Sequence, residues 1–215
     1  MKTLPTQERA LIKRQSLINA AKREFSNNGF ELATAKTIAA AAAVATGTFY
    51  QYFDNKNEIL RVIASSRFEG LHQRIKRLEL KTINQSLSPS LNIEAQFLET
   101  LIFVHQFHAQ DPELHQVLEQ RRALDPKLKT IMDQGEHVLR KRVLSFVNTF
   151  NISNSELVAE NLFAMAEGLV HRLVFYPTGY DATGGDLKQG LEIGAKMLAS
   201  YFIHNQANAT TNLTS

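Results

Sequence analysis

Apolar residues recur along almost the whole chain with the 3.6-residue spacing of amphipathic helices, and no run of alternating positions indicates a strand. In the first helix, Leu11 and Phe25 share the apolar face. Gly29 can end this helix in a left-handed conformation that folds Phe30 back onto Phe25. The pattern as a whole predicts an all-α protein.

Two short helices and one long helix are predicted after this first one. Thr34 is a suitable N-cap for a helix from Ala35 to about Ala42, and a third helix follows over 48–53. Asn55 and Glu58 have the spacing of a capping box and open the long fourth helix. The later helices are predicted at about 93–110, 112–123, 127–150, 154–176 (with Ser153 at the cap spacing) and 186–204, with a linker at 84–92 and a loop at 177–185.

The composition excludes several kinds of functional site and several classes of protein. The 215 residues include 44% hydrophobic residues and no cysteine, which excludes disulfides, thiol catalysis and zinc sites that need a thiolate. Neither a signal-peptide pattern nor an apolar window of about 18 residues is found. We therefore expect a cytoplasmic protein with no membrane contact.

The net charge of +3 is unevenly distributed. Residues 1–85 carry 14 Lys and Arg against 7 Asp and Glu, whereas residues 86–215 carry 10 against 14. This asymmetry is typical of a protein of which one part meets a polyanion such as nucleic acid. A solvated basic face would give the same pattern, so charge alone leaves both interpretations open.

The two short helices around Val44 have the dimensions of a helix-turn-helix. Ile38, Phe49 and Phe53 can form its apolar inner surface. The residues left facing outward are Thr46, Gly47, Thr48 and Gln51. Their hydroxyl and amide groups can hydrogen-bond base edges or phosphates, and glycine lets the backbone approach closely.

Residues 34–60 resemble the DNA-binding signature of the tetracycline-repressor (TetR) family of transcriptional regulators. The resemblance covers about residues 9–62. It implies a helix-turn-helix domain over 1–55, joined by the long helix to a helical effector-binding and dimerisation domain over 56–204. The polar composition of 205–215 predicts a disordered tail. The matching residues are Thr34, Ile38-Ala39, Val44, Gly47-Thr48-Phe49-Tyr50, Tyr52-Phe53, Lys56 and Leu60.

The resemblance also implies roles for single residues. Thr34, Tyr50 and Lys56 would hold phosphates, and the outward positions 46, 48 and 51 would face the major groove; Lys36 is added here from its position. Packing beneath the helix is the alternative for Tyr50 and, more strongly, for Tyr52. The sequence departs from the usual signature at Ala43, where glycine is usual, at Ala45-Thr46, where serine-lysine is common, and at Gln51, where histidine is frequent.

A ligand cavity within the second domain is implied as well. Apolar walls with a few polar groups orient a small molecule, so we expect a partly apolar effector. Plain core packing is the alternative for each aromatic residue, and an internal pair is the alternative for Glu167 and His171. No metal or cofactor is expected, although His105, His108 and His115 could share a face. The candidate effector residues are Phe103, Phe107, Met132, Phe163, Glu167, His171 and Phe175.

The expected function is a homodimeric repressor that a small-molecule effector releases from a palindromic operator in double-stranded DNA. The last two helices would form most of the dimer interface, with Gly190, Gly194 and Leu198 on one stripe, although an intramolecular core explains that stripe equally well. A DNA-bound architectural or division-control protein without a switch is the alternative function. An enzyme is not expected, because nothing resembles a P-loop, a zinc-protease helix or a nucleophile elbow.

Overall fold

The computed structural model describes residues 8–82, 89–176 and 187–211, and all regular structure within these ranges is helical. The predicted all-α class is therefore confirmed. No helix in these ranges is long and apolar enough to cross a membrane. The helices are α1 Glu8–Leu32, α2 Ala35–Ala41, α3 Thr46–Tyr52, α4 Lys56–Thr82, α5 Pro89–Ala109, α6 Pro112–Arg122, α7 Pro126–Asn148, α8 Ser155–Phe175 and α9 Leu187–Thr211.

Several helix ends differ from the predicted ones, and α3 begins at Thr46 instead of residue 48. Helix α5 begins at Pro89, inside the predicted linker, since proline suits the first turn of a helix. Helix α8 is preceded by Asn154 in a left-handed conformation without a side-chain cap, so the predicted cap at Ser153 is wrong. Helix α9 continues to Thr211, past the predicted end at about 204, because extending an existing helix costs little. Residues 84–88 and the loop 177–185 lie outside the described residues.

The predicted end of the first helical stretch is confirmed. Gly29 has φ 73° and ψ 167°, a conformation that interrupts the helix within α1. Phe30 thereby turns onto Phe25, with 5.3 Å between the ring centroids. The chain then reaches Thr34, the N-cap of α2, within four residues.

The chain divides into two compact units with separate cores. The first comprises the described part of Met1–Leu71 and Asp111–Glu136, and the second comprises the described parts of His72–Gln110 and His137–Ser215. Helix α6 joins the first unit through Asp111, whose carboxylate accepts hydrogen bonds from Ser26 Oγ at 2.8 Å and from the Leu114 amide at 3.2 Å. The predicted boundary at 55/56, between a DNA-binding domain and an effector-binding domain, differs from this grouping of helices and remains a prediction.

A buried ion pair ties α4 to the start of α7 in the first unit. Arg61 Nε and Nη2 donate to the two carboxylate oxygens of Asp125 at 2.8 and 2.9 Å. Asp125 is 4% exposed and also accepts from the amides of Lys127 and Leu128, so it caps α7. Its carboxylate is therefore held by four donors.

Helices α6 and α7 are joined by a second charge cluster. Arg122 contacts Glu119, Asp133 and Glu136. The hydrogen bond that Arg122 donates to Glu136 is the largest of the effects that raise the pKa of Arg122 above its usual range. On the buried side of α7, Gly135 lies so close to the Phe68 ring that a Cβ at this position would come within 2.3 Å of it. The backbone of α7 can approach α4 only because residue 135 has no side chain.

An aromatic cluster occupies the core of the second unit. The Phe202 ring lies 5.6 Å from Phe97, 5.6 Å from Phe146 and 4.8 Å from Phe150, measured between centroids. Phe202 is 1% exposed, and the cluster joins α5, α9 and the α7 end. These four rings pack against one another as core.

The turn between α2 and α3 contains a strained residue. Ala43 has φ 55°, which belongs to the left-handed region that a Cβ makes costly. This is the position at which the resembling family usually has glycine. The side chain of Ala43 is exposed, so no buried contact offsets the strain.

Replacing Ala43 with glycine is expected to stabilise the protein. Relief of the left-handed strain, about 1–2 kcal/mol, exceeds the added entropy of the unfolded chain, about 0.4–1 kcal/mol. Thermal denaturation should show a higher Tm. Ala40→Gly, at an exposed helical position of α2, is the matched control and should lower the Tm. A lower Tm for A43G as well would contradict the strain.

Removing the charge of Asp125 is expected to destabilise the first unit. Asp125→Asn keeps the shape of the cap but leaves Arg61 without its partner, at a cost of about 2–3 kcal/mol, reduced because Arg61 is partly exposed. Chemical denaturation at pH 7 measures this loss. Glu192→Gln, which removes an exposed ion pair with Lys188, should change little.

The difference between D125N and the parent protein should also depend on pH. Burial would raise the pKa of Asp125, but the bonds from Arg61 and from the Leu128 and Lys127 amides outweigh it and lower the pKa. The stabilisation is then complete above the ordinary aspartate pKa of about 3.9 and is lost as the pH falls through the lower folded value. A gap in stability that stays constant from pH 6 down to pH 2.5 would contradict the charge assignment.

Candidate nucleic-acid interface

Helix α3 separates an apolar side from a polar side, as predicted. Phe49 and Phe53 are almost completely buried, with their ring centroids 5.8 Å apart. On the other side, Thr46, Gly47 and Gln51 are exposed, and Thr48 is half-buried. A Cβ at Gly47 would meet nothing within 4 Å, so the backbone there is open to a ligand.

The two tyrosines of α3 occupy different environments. Tyr50 is 52% exposed, and its ring lies edge-on to Phe49 at 5.4 Å. Tyr52 is partly buried against the core of the first unit. The packing alternative therefore holds for Tyr52, whereas Tyr50 is open to solvent.

Helix α2 begins with a reciprocal cap. Thr34 Oγ1 accepts from the Thr37 amide at 3.1 Å, and Thr37 Oγ1 accepts from the Thr34 amide at 2.9 Å. This confirms Thr34 as the N-cap, with threonine in the place where a capping box usually has glutamate or glutamine. Lys36 follows in the first turn of α2 and is exposed.

Two side chains of α1 bind the end of α2, and the sequence pattern did not identify either. Ser16 Oγ donates to the Ala42 carbonyl at 3.3 Å, and Arg23 Nη2 donates to the Ala41 carbonyl at 3.2 Å. The last carbonyls of a helix have no partner within the helix, so these bonds fix the turn before α3. The positive charge of α1 is evident from the sequence. The partner of Arg23 lies 18 residues along the chain and that of Ser16 lies 26 residues along it, so a local pattern does not reveal these bonds.

Further cations of the first unit lie on α1. The Arg14 guanidinium carbon lies 5.2 Å from the centroid of the Phe53 ring. Arg9 and Lys13 are exposed on α1. The first helix thus supplies positive charge although residue 46 is not a lysine.

Lys56, which the resemblance assigns to a phosphate, is engaged within the protein. Its Nζ donates to the carbonyls of Phe30 at 2.8 Å, Glu31 at 3.1 Å and Ala33 at 3.2 Å. It also lies 4.4 Å from the centroid of the Phe30 ring. Lys56 therefore holds the end of α1 next to the start of α2.

Three of the candidate effector residues belong to an aromatic group in the second unit. The His171 ring lies 5.4 Å from Phe175 and 5.0 Å from His108, and His108 lies 5.4 Å from Phe107. His108, one of the histidines that could share a metal-binding face, links α5 to α8 through this ring contact, and its Nδ1 contacts the Val104 carbonyl at 2.8 Å. Burial lowers the pKa of His171, which favours the neutral form of its ring.

The remaining candidates lie elsewhere. Phe103 is covered by Arg74, and Phe163 by Arg140, with the guanidinium carbons 5.1 and 4.3 Å from the ring centroids. Glu167 is half-buried on α8, four residues before His171. Met132 lies in the core of the first unit and is not brought together with the other candidates.

A groove with a volume of about 500 Å³ lies between the end of α5 and the start of α9. Burial lowers the pKa of His105, which lines it together with glutamines and aliphatic residues. None of the candidate effector residues lines this groove. The lining is Ile102, His105, Gln106, Ala109, Gln110, Leu187, Lys188 and Leu191.

The apolar residues of α9 lie on two faces. Gly194 packs against Leu169 of α8, and Leu198 is buried, so the stripe of small residues serves the core of the second unit. Ile193, Met197 and Tyr201 form a different stripe and are 52%, 64% and 46% exposed. On α8, Leu157 and Met165 are also more than half exposed.

Comparisons with known proteins agree with this geometry. The family model described as bacterial regulatory proteins, tetR family, matches residues 17–63, which span the α1 end, the helix-turn-helix and the start of α4. The transcriptional regulator TtgR of Pseudomonas putida is 23% identical over 203 residues, which cover 90% of this chain and 94% of TtgR.

Two solved structures share the fold. A TetR-family regulator from Mesorhizobium loti has a TM-score of 0.70 at 16% identity, covering 92% of this chain and 98% of its own. SmeT of Stenotrophomonas maltophilia, in a complex with triclosan, has a TM-score of 0.63 at 20% identity, covering 88% and 90%. The helix-turn-helix geometry, the family-model match over residues 17–63 and the similarity along the chain lead to one conclusion: the protein carries a DNA-binding domain of the tetR family and is a DNA-binding transcriptional regulator.

Proposed function

We propose that the protein is a repressor that binds a palindromic operator as a homodimer and is released from it by a partly apolar small molecule. The observation that carries the proposal is the exposed polar face of α3, which is held on a buried apolar support in the same unit as the basic helix α1. An α-helix with such a face fits the major groove of DNA. Its short polar side chains can reach base edges.

In this proposal the residues of the first unit divide into two groups. Thr46, Thr48 and Gln51 read base edges, and Gly47 lets the α3 backbone approach the DNA. Thr34, Lys36 and Tyr50 contact phosphates, which fix the register without reading the sequence. Thr34 would use its hydroxyl while keeping its capping bond to the Thr37 amide.

The homodimer is supported by the exposed apolar stripe of α9. Ile193, Met197 and Tyr201 are spaced four residues apart, so they lie on one face of the helix. Contiguous apolar surface of this kind marks an interface. A second copy related by two-fold symmetry would bury the same stripe on both chains. The two helix-turn-helix domains of this dimer would then match the two halves of a palindromic site.

The effector site is proposed in the second unit, around His108, His171 and Phe175. A neutral imidazole at His171 can accept or donate a hydrogen bond, and the surrounding rings offer apolar contacts. The complex of SmeT with triclosan supports this chemistry, because triclosan is a small aromatic molecule and SmeT shares the fold. TtgR is likewise a transcriptional regulator, and SmeT is described as the repressor of a multidrug efflux pump.

Alanine at both Thr48 and Gln51 is expected to abolish sequence preference. Two base contacts of about 1–3 kcal/mol each should weaken binding to the selected operator at least 30-fold. Binding to unrelated duplex DNA should change less than about threefold and keep its salt dependence, since phosphate contacts remain. Fluorescence anisotropy with an operator selected from a random pool measures both.

The matched control is Thr130→Ala with Gln134→Ala, two exposed residues of α7. This double variant should bind the operator like the parent protein. Unchanged operator affinity in the Thr48 and Gln51 variant would reject the assigned reading face. Failure of the parent protein to select any DNA would reject the operator-binding proposal itself.

An effector is expected to stabilise the free protein and weaken the operator complex. A panel of small aromatic compounds, beginning with triclosan, can be screened for a rise in Tm. The compound that raises the Tm should raise the Kd for the operator roughly 5- to 150-fold, the usual range of allosteric coupling. His171→Ala should reduce both effects, whereas His137→Ala, at an exposed position, should reduce neither. Stabilisation without any change in operator affinity would favour a DNA-bound protein without a switch.

A further inference from the structure

The junction between α1 and α2 is held by a cation that the sequence assigns to DNA. The ammonium of Lys56 has three N–H donors. All three distances to the carbonyls of Phe30, Glu31 and Ala33 are within 3.2 Å, and the Lys56 side chain is 26% exposed. A phosphate at this nitrogen would have to displace at least one of these bonds.

A second cation reaches the same ring from α6. The Arg121 guanidinium carbon lies 4.4 Å from the centroid of Phe30, the same distance as Lys56 Nζ. Arg121 Nη1 donates to Glu31 Oε1 at 3.1 Å, and Nη2 contacts Asn57 Oδ1 at 3.4 Å. Arg121 thereby joins α6, the end of α1 and the first turn of α4 at one point.

The Phe30 ring is buried, so these contacts are made largely out of water. Phe30 is 6% exposed, and cation–π attraction is stronger when the partners are desolvated. We call Phe30, Lys56 and Arg121 the corner clamp. The corner clamp lies directly after Gly29, which interrupts the helix, and within four residues the chain must turn into α2.

The orientation of α2 depends on the segment that the clamp holds. Ala33 precedes Thr34, and the Thr34 carbonyl accepts the hydrogen bond of the Ile38 amide in the first turn of α2. Moving the carbonyls of 30, 31 and 33 therefore moves the N-terminus of α2. Helix α3 follows after a turn that α1 also fixes, through Ser16 and Arg23.

We propose that Lys56 and Arg121 are positioning residues: the corner clamp sets the angle at which α2 and α3 meet DNA, and Lys56 does not bind a phosphate. The proposal rests on the DNA-binding function. It gives Lys56 a role different from the one that the family resemblance implies, and it adds Arg121, which no sequence motif indicates. Both residues act through Phe30 and the backbone beside it.

Salt dependence separates a positioning residue from a phosphate ligand. Each phosphate contact adds about 0.9 to the slope of log affinity against log salt concentration, so a lysine that binds one phosphate in each subunit contributes about 1.8. The experiment uses the full-length protein and a 30-base-pair duplex carrying the site selected from a random pool. Lys56→Met and Arg121→Met are compared with the parent protein between about 50 and 200 mM salt.

We expect both variants to bind the operator at least tenfold more weakly with slopes within about 0.5 of the parent slope. Lys36→Met, on the exposed first turn of α2, is the positive control and should lower the slope by about 1.8. Hydrogen exchange provides the second measurement: the amides of residues 37–41 in α2 should exchange faster in the Lys56 and Arg121 variants and not in the Lys36 variant. Lys56→Arg and Arg121→Lys should restore part of the affinity, since each keeps a cation near the ring.

Several outcomes would overturn the proposal. A slope that falls by about 1.8 in Lys56→Met, with unchanged exchange in α2, would make Lys56 a phosphate ligand. Operator affinity that is unchanged in both variants would show that the corner clamp does not position α2 and α3. If Lys56→Met does not fold, Arg121→Met decides the question alone, because Arg121 lies on α6 and its loss must act through the corner. Absence of operator selection by the parent protein is a separate result that concerns the proposed function.

Discussion

The conformation of the helix-turn-helix depends on its surroundings, because α2 and α3 have only seven residues each. Helices this short do not persist in water, since the cost of nucleation is not recovered over two turns. Their conformation therefore comes from packing against α1 and α4, through residues such as Ile38, Phe49 and Phe53. The polar side chains of α3 can remain exposed because the opposite face of this helix is packed into the core.

The same constraint explains why both ends of α2 are tied to other elements. Its N-terminus has the reciprocal Thr34–Thr37 cap, and its last carbonyls accept from Ser16 and Arg23. Lys56 and Arg121 hold the corner just before it. A two-turn helix that is fixed at both ends behaves as part of a rigid body, and the strain at Ala43 is the local cost of the tight exit.

The features that the sequence predicted correctly are local ones. Gly29, the Thr34 cap and the Phe49–Phe53 pair follow from spacings of five residues or fewer, where backbone geometry determines which side chains meet. The Asn55–Glu58 cap is half-correct: Asn55 accepts from the Glu58 amide, but the Glu58 carboxylate accepts from Asp54 instead of Asn55. Long-range partners could not be predicted. The contacts of Lys56 with backbone carbonyls and the place of Met132 in the core of the first unit depend on residues far along the chain, so only the fold shows them.

Gly135 limits how the first unit can change during evolution. Its backbone lies where any Cβ would overlap the Phe68 ring, so every point substitution at this codon adds a wedge between α4 and α7. A neutral path away from glycine must first replace Phe68 with a smaller residue, and that intermediate leaves a cavity. The two positions are therefore expected to drift as a pair, and related sequences that have lost the glycine should also have lost the phenylalanine.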